Sequence, residues 1–274
     1  MVNMTTTTTS VWTRWARLTT HELAALPRQS AVAILPVAAT EQHGPHLPLS
    51  VDTDLVDGIL REAQEAWDGD FPVLVLPTQS VGFSPEHAKF AGTLTLSSET
   101  LIRLWTELAE SVHASGIQKL LFFNSHGGQV GALDLVARDL RHRHGMQVVS
   151  SSWYQLPLED EMKAFDAHER RFGVHAGQVE TSMMLALQPD LVKMQLAQKF
   201  PSTSEIRSKQ TQILGNGFSA KLAWQAQDLN PSGAVGNAAA ANKEAGEALI
   251  RRSAIGLVQL VKDLGGLPQG TLQG

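Results

Sequence analysis

The chain has 274 residues, 43% of them hydrophobic and 18% charged, with a net charge of −5. Those values fit a globular protein with a sizeable core, and the lack of a basic block excludes a nucleic-acid surface. There is no cysteine, which excludes disulfides, thiolate nucleophiles and thiolate zinc sites, so any metal must be held by His, Asp and Glu.

The N-terminal MVNMTTTTTS lacks the charged and apolar segments of a signal peptide. Residues 1–11 are expected to form a disordered tail, and a cytoplasmic location is the default. No apolar run is long enough to span a membrane. The run AVAILPVAA at 31–39 reads as a buried strand. A helix follows from near Thr53, with Leu55, Val56, Ile59 and Leu60 spaced for one face. FPVLVLP, at 71–77, is a second strand. The loop after it, through SVGFSPEHAKFAGTLTLS, is long enough to suggest function.

A helix over 98–114 is opened by the cap-like Ser97-Ser98. KLLFFN at 119–124 is the third strand and leads into Ser125-His126-Gly127-Gly128. The next helix ends near 144, with Gly145 as its C-cap. QVVSSSWYQ at 147–155 is the fourth strand. Residues 157–172 are charged and helical, and HAGQVETS at 175–182 precedes the helix-like MMLALQ. Residues 190–236 read as loops with a short strand, and a last helix spans about 237–264. Strands alternating with helices predict α/β: one three-layer α/β/α domain over 12–264 with a mostly parallel sheet, and a C-terminal tail at 265–274. The loops at 40–54, 124–129 and 153–180 then gather at the carboxyl ends of the strands, where open parallel sheets bind ligands.

The stretch TEQHGPHLPLSVDTD at 40–54 places Glu41, His43, His46, Asp52 and Asp54 in one loop. Carboxylate and imidazole together suit zinc, manganese or iron. Glu41 and His43, two apart, point the same way on an extended segment. Asp52 and Asp54 open a helix, where one of them is expected to serve only as a cap. Spacing does not choose between them. His126, among glycines that let the backbone approach closely, is a ligand, a general acid or a turn histidine. Glu180 enters an apolar helix and is either a ligand or a first-turn acid favouring the helix dipole. His87 in the long loop is a substrate contact or a solvated residue. Trp153 and Tyr154 wall a pocket or pack in the core. There is no GxSxG elbow, P-loop or HExxH motif.

The string EQHGPHLPLSVDTD, then GTLTL, NSHGGQ and HAGQVETS, resembles the creatininase (creatinine amidohydrolase) family over about residues 12–264. The resemblance implies a two-metal centre with Glu41, His43 and Asp52 as ligands, Asp52 bridging, His126 as a further ligand and Glu180 at the site beside His175. It demotes His46 and Asp54 to supporting roles. Creatinine-hydrolysing members carry a metal-binding glutamate two residues after the NSH-type histidine. Here Gly128 stands there, which makes Glu180 the candidate replacement. The glycine is more like the branches that contain formamide hydrolases of cofactor biosynthesis and the peptidase that matures mycofactocin.

The implied function is a metal-dependent amidohydrolase. It would cleave a non-peptide amide C–N bond, cyclic or open, with a hydroxide held between two divalent ions (Zn, Mn or Fe). His175 or Glu180 would protonate the leaving amine. His87, Trp153, Tyr154 and Gly128 would line the substrate pocket. The resemblance also implies a small-molecule amide substrate and a homo-oligomer, a hexamer. The alternatives are a peptidase or formamide hydrolase of the same family, and a non-catalytic metal- or ligand-binding protein of the same fold.

Overall fold

The computed structural model of the protein describes residues 11–215, 219–268 and 271. The tail expected at 1–11 lies outside them, except for Val11, whose carbonyl accepts a hydrogen bond from Val73 N. The chain runs β1 (Trp12–Arg14), α1 (Thr20–Ala25), β2 (Val32–Val37), α2 (Val51–Glu65) and β3 (Val73–Val75). It continues through α3 (Ser98–Ala114), β4 (Lys119–Asn124), α4 (Val130–His144), β5 (Gln147–Ser152), α5 (Ala167–Phe172) and α6 (Gln178–Leu187). The remainder is β6 (Lys199–Phe200), α7 (Thr203–Gln210), α8 (Ala226–Leu229), β7 (Gly236–Asn237) and α9 (Lys243–Gly266).

The α/β expectation holds: β1 to β5 form one parallel sheet in the order β1-β3-β2-β4-β5. Side chains alternate across it. Val32, Ile34, Leu121 and Phe123 pack into one apolar cluster with residues of α2, α6 and α9. Ala33, Leu35, Leu120 and Phe122 pack into another with residues of α3 and α4. Burial on both faces explains why β2 and β4 read as unbroken apolar runs. A small antiparallel pair, β6 with β7, lies apart from the main sheet.

Several boundaries differ from expectation. The first strand is shorter than 31–39, because the chain turns into the loop after Val37. Its helix starts at Val51, two residues before Thr53. The second strand shrinks from 71–77 to three residues. The fourth stops at Ser152, where the Ser152 side chain and Gln155 box in a turn of 3-10 helix over Trp153–Gln155. The last helix begins at Lys243, because Asn242 caps it by accepting a hydrogen bond from Ala245 N. It also runs through Gly266, which moves the start of the C-terminal tail past 265. Among the described residues of 190–236 the chain forms α7, α8 and short 3-10 turns as well as the expected short strand.

From β2 the chain moves to β3 on one side, then crosses from β3 to β4 on the other. The crevice at this reversal, between the carboxyl ends of β2 and β4, is where open α/β sheets place their ligands.

Candidate metal centre

Glu41 lies four residues beyond β2 and is 1% exposed. His43, Asp52, His87, His126 and His175 are also buried. His126 sits two residues past β4, in a turn shaped by Asn124. The Asn124 amide donates to the His126 carbonyl (2.7 Å) and to Ser152 Oγ (2.9 Å), while its Oδ1 accepts from His126 N (3.1 Å). The buried Gln129 amide donates to Asn124 Oδ1 (2.9 Å) and to the Ala38 carbonyl (3.3 Å), tying the loops after β2 and β4 together. The GTLTL segment closes the same frame: Thr93 Oγ1 accepts from Gln42 N (3.1 Å) and Thr95 Oγ1 from Ser84 N (2.8 Å).

Glu180 stands in the first turn of α6. Its Oε2 accepts the Ala176 N–H (2.5 Å), and Ala176 has a φ of 53°, a conformation that costs an L-residue energy. The buried Glu169 anchors this segment, accepting from Gln178 N (2.6 Å) and Asn237 N (2.7 Å).

Among the described residues, three groups of side chains have ligand atoms close enough for one ion: Glu41, Asp52 and His126; His43, His175 and Glu180; and Glu41, His87 and His175. Asp52 faces two ways. Its Oδ2 lies 3.6 Å from His126 Nδ1, and its Oδ1 lies 3.8 Å from His43 Nε2. Glu41 Oε2 is 3.3 Å from His126 Nδ1, and Glu41 Oε1 is 3.4 Å from His87 Nε2 and 3.9 Å from His175 Nδ1. Glu180 Oε2 is 4.0 Å from His43 Nε2. His175 stacks near His43 and His87, with ring centroids 4.2 and 4.3 Å away.

Glu41 Oε2, His43 Nε2 and Asp52 Oδ2 are buried without a hydrogen-bond partner. Leaving such atoms unpaired costs about 1–3 kcal/mol each, and divalent ions held by these groups would satisfy them. The donors are oxygen and nitrogen only, a set that zinc, manganese and iron accept. His43 Nδ1 donates to the Glu41 carbonyl (3.1 Å), which turns the Nε2 lone pair into the site.

The protonation pattern agrees with that geometry. Burial pushes the Glu41 carboxyl up, but His126, with His87 and His43, outweighs it and holds the group well below the usual range. Burial, then the Glu41 charge, holds Asp52 well above it. Burial opposes a charge on His126, yet Glu41, Glu86 and Asp52 prevail and raise it. Burial and His175 keep His43 well below the usual imidazole range. Burial raises Glu180. Several buried carboxylates held together are electrostatically costly until a cation joins them.

The other residues singled out from the sequence lie as follows. His46 is fully buried, with Nε2 2.9 Å from Thr181 Oγ1 and its ring stacked near Phe200, outside the three groups. Asp54 accepts from Ser50 Oγ (2.6 Å) and belongs to no group. Trp153 is part of the apolar core, whereas Tyr154 is 42% exposed, its hydroxyl close to Gly127.

Three neighbours were missed in the sequence. Gln42 reaches His87 Nδ1 (2.7 Å) and the Gly233 carbonyl (3.0 Å) through its amide, and its own carbonyl lies 2.8 Å from His175 Nε2. Gln129 and Glu86 are the others. A polar residue beside a motif was the one available hint for Gln42 and Gln129.

The family model described as Creatininase: Creatinine amidohydrolase matches residues 16–261. A mycofactocin precursor peptide peptidase of Mycobacterium tuberculosis is 34% identical over 178 residues, 60% of this chain and 61% of the relative. The match therefore spans about three fifths of that relative's length. A creatinine amidohydrolase of Pseudomonas putida is 29% identical over 177 residues, 60% of this chain and 66% of the relative. The solved structure called Creatininase Mn superposes with a TM-score of 0.72 at 23% identity, covering 93% of this chain and 99% of that one. That similarity speaks for the fold.

Proposed function

The chain belongs to the creatininase family, and from that premise we propose that it is a metal-dependent amidohydrolase acting on a non-peptide amide C–N bond, cyclic or open-chain. The observation that carries this reading is the double aspect of Asp52, whose two oxygens address two different imidazoles in a buried pocket. A carboxylate so placed suits a bridge between two ions. Glu41 and His126 would complete the set for one ion; His43 and Glu180 would serve the other, with His175 beside them. Divalent ions held there would supply Lewis acidity and make hydroxide available near neutral pH.

The remaining work falls to the chain's own side chains. The leaving amine needs a proton to depart. Glu180 could relay that proton through Oε1, since Oε2 is engaged by Ala176 N. His175 is the other candidate. Its Nε2 donates to the Gln42 carbonyl, so Nδ1 is turned towards Glu41 and the reacting space. His87 and Tyr154 would border the substrate, and Trp153 would back Tyr154 from the core through an edge-on ring contact at 5.5 Å. The space beside Gly128 is taken by the Glu86 carboxylate and the His126 ring, so the room expected there for substrate is filled. By family resemblance the assembly would be a homo-oligomer. Among the described residues no helix is long and apolar enough to cross a membrane.

A second reading, a peptidase, is favoured by the 34% identity to the mycobacterial peptide peptidase. Protein loaded with zinc, manganese or iron and assayed on lactams, formamides and short peptides separates the two. Turnover of lactams or formamides supports the first reading, and cleavage of peptides alone supports the second. No turnover of any of them would favour a binding protein of the same fold.

A further inference from the structure

We propose that Glu86 is the positioning residue for His126, and that Gly128 is glycine because the Glu86 carboxylate needs the room. The inference rests on the reading of His126 as a metal ligand.

Glu86 lies on a single turn of 3-10 helix, Pro85–His87, in the loop after β3. Its side chain is 14% exposed, and Oε1 is 3.4 Å from His126 Nε2. The same nitrogen lies 3.0 Å from the Phe83 carbonyl and 3.2 Å from Ser84 Oγ. Every neighbour of Nε2 can accept a hydrogen bond, and the carbonyl and carboxylate can do nothing else. Nε2 therefore carries the hydrogen. Nδ1, the nitrogen facing Glu41 and Asp52, is left to bind the ion. Metal-ligating histidines are commonly fixed in this way, with the far N–H given to a carboxylate or carbonyl that sets the ring's orientation and raises its basicity.

Gly128 completes the argument. A Cβ built there would lie 2.0 Å from Glu86 Oε1, 2.9 Å from Glu86 Cδ and 2.6 Å from His126 Nε2. The carboxylate thus fills the volume that any side chain at 128 would require. A side chain at 128 would therefore have to displace the Glu86 carboxylate and would press on the His126 ring as well.

The experiment compares wild type, Glu86→Gln, Glu86→Ala, Gly128→Ala and the double variant Glu86→Ala/Gly128→Ala. Zinc affinity is measured by chelator competition, the His126 Nε2–H resonance by NMR on protein with 15N-labelled histidine, and the melting temperature with and without zinc. Glu86→Gln should keep the wild-type number of ions, bind them about tenfold more weakly and shift the Nε2–H resonance upfield. Gly128→Ala should lose at least as much affinity as Glu86→Ala, since it displaces the carboxylate and presses on the ring. The double variant should lose less than the sum of the two single losses, in affinity and in melting temperature, because with Glu86 gone the alanine meets only the His126 ring.

Unchanged zinc affinity in Glu86→Ala, or simply additive losses in the double variant, would overturn the proposal. So would loss of a whole ion in Glu86→Gln, which would make Glu86 a ligand. Wild-type protein that binds no zinc would refute the metal reading instead. The Nε2–H resonance and the zinc-free melting temperatures would still decide whether Glu86 holds the ring.

Discussion

Ser125 and Asp52, 73 positions apart in the chain, are joined by a hydrogen bond in which the Ser125 hydroxyl donates to the Asp52 carbonyl at 2.7 Å. The bond links the turn after β4 to the first turn of α2, and so fixes the His126 loop against the carboxylate that faces two imidazoles. Ser125 is itself held by its backbone N–H, which donates to the Val37 carbonyl at the end of β2 (3.1 Å). Ser125→Ala should cost about 1 kcal/mol and lower the melting temperature by about 3 °C. Metal affinity should fall by more than that stability loss implies, since both halves of the site move. Chelator competition and calorimetry on the same protein check the two effects.

His46 makes stability depend on pH. Burial, and then His175, hold its imidazole down at about 4, against about 6.5 in an unfolded chain. The folded ring thus resists a proton that the unfolded ring accepts. Its contribution is fully present above about pH 6.5 and is lost as the pH falls towards 4, on the order of 3 kcal/mol over the window. His46→Gln keeps a donor for Thr181 Oγ1 but cannot titrate. Urea denaturation at pH 7, 5.5 and 4 should show wild type losing more stability than the variant across that range. Parallel curves would remove His46 as a source of acid sensitivity.

Gly246 allows α9 to lie against α6. A Cβ at this position would stand 1.9 Å from the Ser182 carbonyl oxygen and 2.3 Å from its carbon. Those atoms are helix backbone and cannot turn aside, so the two helices would have to separate. Gly246→Ala should destabilise the protein by about 3 kcal/mol and move Glu180, two residues before Ser182 on α6, out of reach of His43. A guanidinium midpoint equal to wild type would contradict this account of the contact.

Much of this arrangement was legible in the sequence where a strong local pattern coincided with its tertiary fate. Residues 98–114 and 119–124 form the expected helix and strand, bound for bound, because a Ser97 cap and a run buried on both faces leave no rival conformation. Gly145 takes the left-handed φ of 66° that a helix terminator requires. β1, three residues long, carries no such signal, and α1 has only the Thr19–Glu22 capping box, its six residues burying no side chain that would mark one apolar face. The alanines before α9 favour helix by propensity, yet the Asn242 cap places the start after them. At the site, Glu41, His43, Asp52, His126 and Glu180 sit in motifs dense in ligand-type residues, and they lie together. Glu86 and Gln42 have partners 40 or more positions away, reached only because the loop after β3 crosses the carboxyl ends of β2 and β4. No local pattern encodes that crossing.

The most direct test of the two-metal account is the zinc content of Asp52→Asn beside wild type, measured by mass spectrometry after loading and gel filtration, with circular dichroism as the control for folding. The geometry predicts two ions per chain in wild type and at most one, weakly held, in the variant, with the fold unchanged, because Asp52 is the side chain that addresses both His126 and His43. Two firmly held ions in Asp52→Asn, or none in wild type, would contradict it.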